Sequence, residues 1–356
     1  MRKRGMIILL IVLISLLMAF MLVRCALSTD DLVFMDEGTP IKSADVYGNI
    51  DAVVTEKGNC YIRGKSVSTD YLYGVKNTHQ YKNIYRALDF DKSLKFVEIY
   101  AGGDAEDIFL SKNGGVIITN KSDVYLFADI KGYEIPKKFC NNARYAQLDK
   151  ERVYILTTDG QFGYCDIKKP NNFILLQQEV KQFEVRRGGQ CVWLLSDSGE
   201  LTVYSDLECK TKVLQIDAVS QFDVWNGDPE PDVENNWHYF TYVSEGSCYY
   251  YSGRGLSNSE SLAHVILSEG AVRAAVYSGG VMVLNDKNEV QIFGSGLQHN
   301  DICNGEVIAK NAIDICGDVF KIVIVTTDGT LIAGGTLPDS SSISVADLVE
   351  SAMGHG

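Results

Sequence analysis

The residues best suited to chemistry are sparse. Five histidines (His79, His238, His264, His299 and His355) are scattered along the 356-residue chain. None forms the HExxH pair that holds zinc on one helix face, and no serine occupies the GxSxG turn of a nucleophile elbow. Gly294-Ser295-Gly296 resembles a phosphate loop only in its glycines. It lacks the lysine and the following helix that would hold a phosphate, so it reads as a turn at a strand end. Eight cysteines follow Cys25: Cys60, Cys140, Cys165, Cys191, Cys209, Cys248, Cys303 and Cys316. No two form a CxxC and no histidine stands at zinc-ligand spacing, so neither a metal nor a cofactor is expected.

One segment concentrates charge and aromatic surface. "WNGDPEPDVENNWHYF" (Trp225 to Phe240) places Asp228, Glu230, Asp232 and Glu234 between Trp225 and Trp237. Carboxylates at this density can bind calcium, but the two prolines and the alternate spacing match no EF-hand loop. Exposed aromatics beside charge can form a protein-contact hot spot. The plainer reading is a solvated acidic loop with its tryptophans packed on the body. These six residues are the candidate binding site.

The elements that would position such a site come from a repeat. Candidate hairpin tips fall at Gly58, Gly114, Gly160, Gly199, Gly246, Asn288 and Gly329, at intervals of 39 to 56 residues. In the second unit Ser122 fits equally well as the tip, and both hairpins can belong to one unit. Two and four residues after the seven tips stand apolar side chains, such as Phe162 and Tyr164 or Leu201 and Val203. This period of two is that of a strand with a buried face. Three residues before the tip stands a hydroxyl or amide in six of seven units, Val243 being the exception, placed to satisfy backbone groups of the turn. Upstream of each tip lies a further apolar strand, clearest in "VKQFEV" (Val180 to Val185) and "VSQFDV" (Val219 to Val224), 39 residues apart. Seven units of this length predict an all-β, seven-bladed β-propeller of four-stranded blades over residues 31–337. Cys60 and Cys248 fall on the buried register as small apolar residues. Cys165 falls on the opposite strand face, where the repeat predicts nothing. A Cys303–Cys316 disulfide is open.

A strand often ending in Gly-Gly, an apolar strand, a T-x-D-G turn and a strand ending in Gly together resemble the regulator of chromosome condensation repeat. The best copies are "ICGDVFKIVIVTTDGTLIAGG" (Ile315 to Gly335) and "YSGGVMVLNDKNEVQIFGSG" (Tyr277 to Gly296). The resemblance, here in a bacterial-type, membrane-anchored form, implies a propeller that works as a binding platform. Some members exchange nucleotides on small GTPases in the nucleus, and some secreted bacterial members inhibit enzymes. It carries no site residue over to this chain.

The ends add a location. A basic segment at 1–5 precedes Met6 to Val23, 18 residues without a charge, which is about the minimum length for crossing a bilayer. Residues 6–24 are expected to form a signal-anchor with the basic end cytoplasmic and the rest outside. Cleavage after Ser28, or lipidation at Cys25, would export the body equally. Arg2, Lys3, Arg4 and Arg24 contribute four positive charges to the net −13, leaving −17 on the exported body. So acidic a surface suits solubility and opposes nucleic-acid binding. Asp31 to Met35 is expected to be a short strand able to join the last blade and close the ring. Residues 338–356 are expected to be a flexible tail.

The expected function is non-catalytic recognition of a protein, peptide or cell-envelope ligand through propeller loops. The competing readings are an envelope hydrolase with its site at the central channel and a structural subunit of a membrane assembly.

Overall fold

The computed structural model describes residues 33, 35–47, 50–64, 96–111, 114–128, 130, 132–133, 135–185, 191–224, 237–254, 265–277, 280–295, 302–318 and 321–335. They form seven antiparallel sheets, each built from consecutive strands. The first sheet is β1 (Ile41–Tyr47), β2 (Ile50–Thr55), β3 (Cys60–Gly64) and β4 (Val97–Tyr100). The second is β5 (Ala105–Ser111), β6 (Gly114–Thr119), β7 (Val124–Ala128) and β8 (Lys137–Cys140). The third is β9 (Ala143–Asp149), β10 (Arg152–Thr157), β11 (Phe162–Asp166) and β12 (Ile174–Gln177). The fourth is β13 (Val180–Val185), β14 (Val192–Ser196), β15 (Leu201–Tyr204) and β16 (Lys212–Ile216). The fifth is β17 (Val219–Val224), β18 (Trp237–Ser244), β19 (Ser247–Arg254) and β20 (Val265–Glu269). The sixth is β21 (Ala271–Tyr277), β22 (Gly280–Asn285), β23 (Val290–Ser295) and β24 (Ile302–Ala309). The seventh, as described, has three strands: β25 (Ala312–Asp318), β26 (Lys321–Thr326) and β27 (Leu331–Gly335).

The first strands touch one another in succession and β25 touches β1, so the sheets are the blades of a closed seven-bladed propeller. Seven apolar clusters fill the seams, one between each pair of neighbouring blades. Both faces of a blade are therefore buried, and the middle strands β2, β6 and β22 are buried at every position. This settles Cys165, which packs into the seam between blades two and three while Phe162 and Tyr164 face blade four. Cys60 and Cys248 are fully buried, as their register requires.

The hairpin between the second and third strands of each blade is a clasp. In six blades the tip residue is left-handed: Gly58 (φ 74°), Ser122 (62°), Gly160 (82°), Gly199 (89°), Asn288 (59°) and Gly329 (79°). Its N–H donates to the carbonyl three residues back, closing a β-turn. The side chain at that earlier position accepts from the backbone beyond the tip, as Gln161 N→Thr157 Oγ1 (2.9 Å) and Glu289 N→Asn285 Oδ1 (3.0 Å) show. Blade five differs because its turn holds only Glu245 and Gly246, both left-handed, between the paired Ser244 and Ser247. Such a two-residue turn leaves no N–H for a side chain at Val243 to satisfy, which explains the one exception in the repeat.

The tip carbonyl then accepts from the first amide of the next blade's inner strand in all seven cases, at 2.8–3.0 Å. The last of these, Ile41 N→Gly329 O (2.9 Å), closes the ring. Every inner strand answers with a bulge at its second residue.

Three points that the sequence leaves open are decided. The second unit's tip is Ser122; Gly114 instead begins β6, and both hairpins of that unit lie in one blade. The segment at 31–35 does not pair with the last blade in its described part. Glu98 N→Val33 O (2.8 Å) and Met35 N→Phe96 O (3.0 Å) lay it against blade one, because the inner-strand clasp already closes the ring. Cys316 is a free thiol, whose Sγ donates to Ala44 O at 3.5 Å across the closing seam. Cys60, Cys140, Cys165, Cys209 and Cys248 are free thiols too.

Candidate binding face and central channel

The two ends of the propeller differ in what they allow. On the clasp face, the links from one blade's last strand to the next blade's first are one to four residues long. The hydrogen bonds just described hold these links and the hairpin tips, and the hairpin turns hold no more than four residues. On the opposite face lie the connections from first to second and from third to fourth strands. The former hold two residues in five blades but span 186–191 in blade four and 225–236 in blade five. The latter hold six to ten residues in blades two to six but run over 65–96 in blade one. Every connection longer than four residues thus lies on one face, where surface loops carry function on a fixed scaffold.

The acidic insert belongs to that face. Trp225, Asp228, Glu230, Asp232 and Glu234 lie outside the described residues, between β17 and β18. Trp237 is the first residue of β18 and pairs with Arg254 on β19. These two strands are eight residues long, against four to six for their counterparts in the other blades. Blade five therefore has the longest central hairpin of the seven.

A second constellation, which the sequence reading missed, lines the channel. The third and fifth residues of each inner strand turn their side chains toward the next blade. Asp45 Oδ2 accepts from Leu110 N (2.6 Å), Gln147 Oε1 from Val185 N (2.8 Å), and Asp223 Oδ2 from Val276 N (2.7 Å). Gln182 Nε2 donates to Phe222 O at 2.7 Å. Arg273 pairs with Asp314, and Ser43 donates to Asp107. Between blades two and three the link is aromatic, Phe109 against Tyr145 at 4.4 Å. The signal lay in "VKQFEV" and "VSQFDV", whose polar Q-x-E and Q-x-D pairs alternate with the buried aliphatics.

This belt gathers Asp45, Asp107, Glu184, Asp223 and Asp314 around a channel ringed by protein. Withdrawal from bulk water pushes the Glu184 carboxyl up to about 8, with the nearby Asp223 charge adding to it; hydrogen bonds from Gln147 (2.9 Å) and Tyr145 (3.1 Å) oppose the rise. Asp107 is raised to about 6, again mainly by desolvation and against the Ser43 hydrogen bond. Asp223 and Asp314 are raised by the same cause. No group of three or more histidine, cysteine or acidic side chains among the described residues is placed to hold a metal ion. No described helix is long and apolar enough to cross a membrane, and residues 6–24 lie outside the described range.

No protein-family model and no curated protein matches the chain. Solved structures match it in fold. Human WBSCR16 superposes with a TM-score of 0.57 at 9% identity, covering 82% of this chain and 89% of that one. The Cps50 (Swd1) β-propeller domain of Myceliophteria thermophila gives 0.55 at 8%, covering 86% and 100%. Prp20p of Saccharomyces cerevisiae, described with its binding to Gsp1p and histones, gives 0.52 at 10%, covering 88% and 84%. At these identities the likeness establishes the class, a seven-bladed β-propeller. That fold is consistent with a protein-binding platform.

Proposed function

We propose that this protein is a non-catalytic, extracytoplasmic platform, held to the membrane by residues 6–24, that recognises a protein, peptide or cell-envelope ligand through its loop face. Kinship with the regulator of chromosome condensation repeat is part of this reading; Prp20p, whose reported binding is to proteins, is a precedent for a propeller used in this way. The observation that carries the proposal is that every connection longer than four residues joins strand ends on one face, among them the acidic segment 225–236 that leads into the eight-residue strand β18 of blade five. Trp225 and Trp237 would supply buried contact area, and the carboxylates would steer a basic partner.

The test replaces 225–236 by a two-residue link, as in five other blades, in the full chain within intact cells. The melting temperature of the purified variant should stay close to that of the parent, while the chain's in-cell crosslinked partner disappears. An unchanged crosslinking pattern in the folded variant would overturn the assignment of the face.

One observation favours a second reading, an envelope hydrolase. Carboxylates with raised pKa values converge in the channel, an arrangement typical of acid–base sites. Turnover of ester, glycoside or peptide substrates by the purified body, lost in Glu184→Gln, would replace the binding reading with this one.

A further inference from the structure

On the clasp face, the mouth of the channel is built by one position of each blade. The bulge in every inner strand leaves its second residue outside the pairing. In blades one to five that residue is polar: Lys42, Glu106, Arg144, Lys181 and Ser220. Their side chains run around the mouth from blade to blade. Lys42 Nζ reaches Glu106 (2.8 Å), Arg144 Nη2 donates to Val180 O, and Lys181 Nζ donates to Ser220 O (2.9 Å).

Blades six and seven break the pattern. Their bulge residues are Val272 and Ile313, 55% and 45% exposed on adjacent inner strands that touch each other. The fold does not require an aliphatic side chain there, since five blades carry a polar one at the same position. Across the mouth, on blades three and four, stand two cations. Among the described residues Arg144 and Lys181 are held by backbone carbonyls and pair with no carboxylate, whereas Lys42 is neutralised by Glu106.

Aliphatic surface on one arc and uncompensated cations on the other suit a chain that offers both an apolar side chain and carboxylates. We propose that the clasp-face mouth docks an acidic peptide segment of a partner. Its aliphatic or aromatic side chain seats on Val272 and Ile313, and its carboxylates meet Arg144 and Lys181. A basic peptide lacks one of these complements and a purely polar acidic peptide lacks the other. This surface lies on the face opposite segment 225–236 and shares no residue with it.

Selection from a random octapeptide library on the immobilised full chain tests it. Enriched peptides should combine at least two Asp or Glu with an aliphatic or aromatic residue, and salt should weaken their binding. Their affinity should fall at least about tenfold when Arg144→Gln and Lys181→Gln are combined, the loss expected on removing charged hydrogen-bond donors. Val272→Ser with Ile313→Thr should weaken them comparably. All four side chains are exposed, so the unfolding midpoints should stay near that of the parent. Replacing 225–236 by the two-residue link should leave peptide binding unchanged, so this proposal and the assignment of the loop face stand or fall separately. Enrichment of basic peptides, no enrichment, undiminished affinity in either double variant, or loss of binding on replacing 225–236 overturns the proposal.

Discussion

Glu184 shows what a single residue does in the channel. It stands on the inner strand of blade four and takes hydrogen bonds from Tyr145 and Gln147 of blade three. The charges of Asp223 and Asp45 add to the rise that desolvation causes. A carboxyl raised to about 8 in the fold is protonated there at pH values where the unfolded chain has already ionised it. The folded state then binds one proton more than the unfolded state. The resulting stabilisation is complete below the unfolded pKa, declines as pH rises, and is gone once pH passes about 8. Glu184→Gln keeps a neutral amide in place and should flatten this slope, by at most about 1.4 kcal/mol per pH unit. Urea unfolding at pH 6 and pH 8.5 measures it; equal slopes in parent and variant would remove Glu184 as the source.

At the scale of the element, the clasp hairpin favours glycine at its tip for two separable reasons. Gly329 and Gly246 share a left-handed backbone, which costs any other residue about 1–2 kcal/mol. A Cβ on Gly329 would also stand 2.8 Å from Pro40 Cα, whereas at Gly246 it would meet nothing within 4 Å. Gly329→Ala should therefore destabilise clearly more than Gly246→Ala, since only the former drives the closing seam apart. Denaturation midpoints of the two variants decide it. The Gly-rich tips and the alternation after them were legible in the sequence because both are local properties of a hairpin. The exception at Val243 was visible too, but its cause was not: the number of residues in a turn depends on which residues pair.

For the whole molecule, the decisive feature is how the described residues of blades seven and one close the ring. The seam between blades seven and one is held by the Gly329 clasp, by a mixed apolar cluster and by a buried ionic triad. Asp51, fully buried on β2, pairs with Arg63 Nε of its own blade (2.8 Å) and with Lys321 Nζ of blade seven (2.6 Å). Burial lowers the Lys321 pKa, while Asp51 works to restore it. Removing one partner of a buried pair leaves charge uncompensated, so Lys321→Met should cost about 3 kcal/mol. The same change at the exposed Lys168–Glu151 pair should cost almost nothing. Guanidinium unfolding of both variants tests the contrast, and similar losses would mean that the triad does not hold the ring.

The sequence by itself determined seven hairpin units, the period-two alternation of their strands and, in most blades, the polar residue that steadies the turn. All of these follow from the chain's own short-range periodicity, since successive side chains in a strand alternate between faces. It also marked 225–237 as the most unusual insertion, although five of its six candidate residues lie outside the described range. Only the tertiary structure decided that both faces of every blade are buried, as Cys165 illustrates. It also revealed that the tips are clasps, that the Q-x-E and Q-x-D pairs stitch the channel, and that the connections longer than four residues share one face. Those properties arise between residues some 40 positions apart, or at the ring's closure almost 290 apart (Ile41 to Gly329), where no local pattern records which strands will meet.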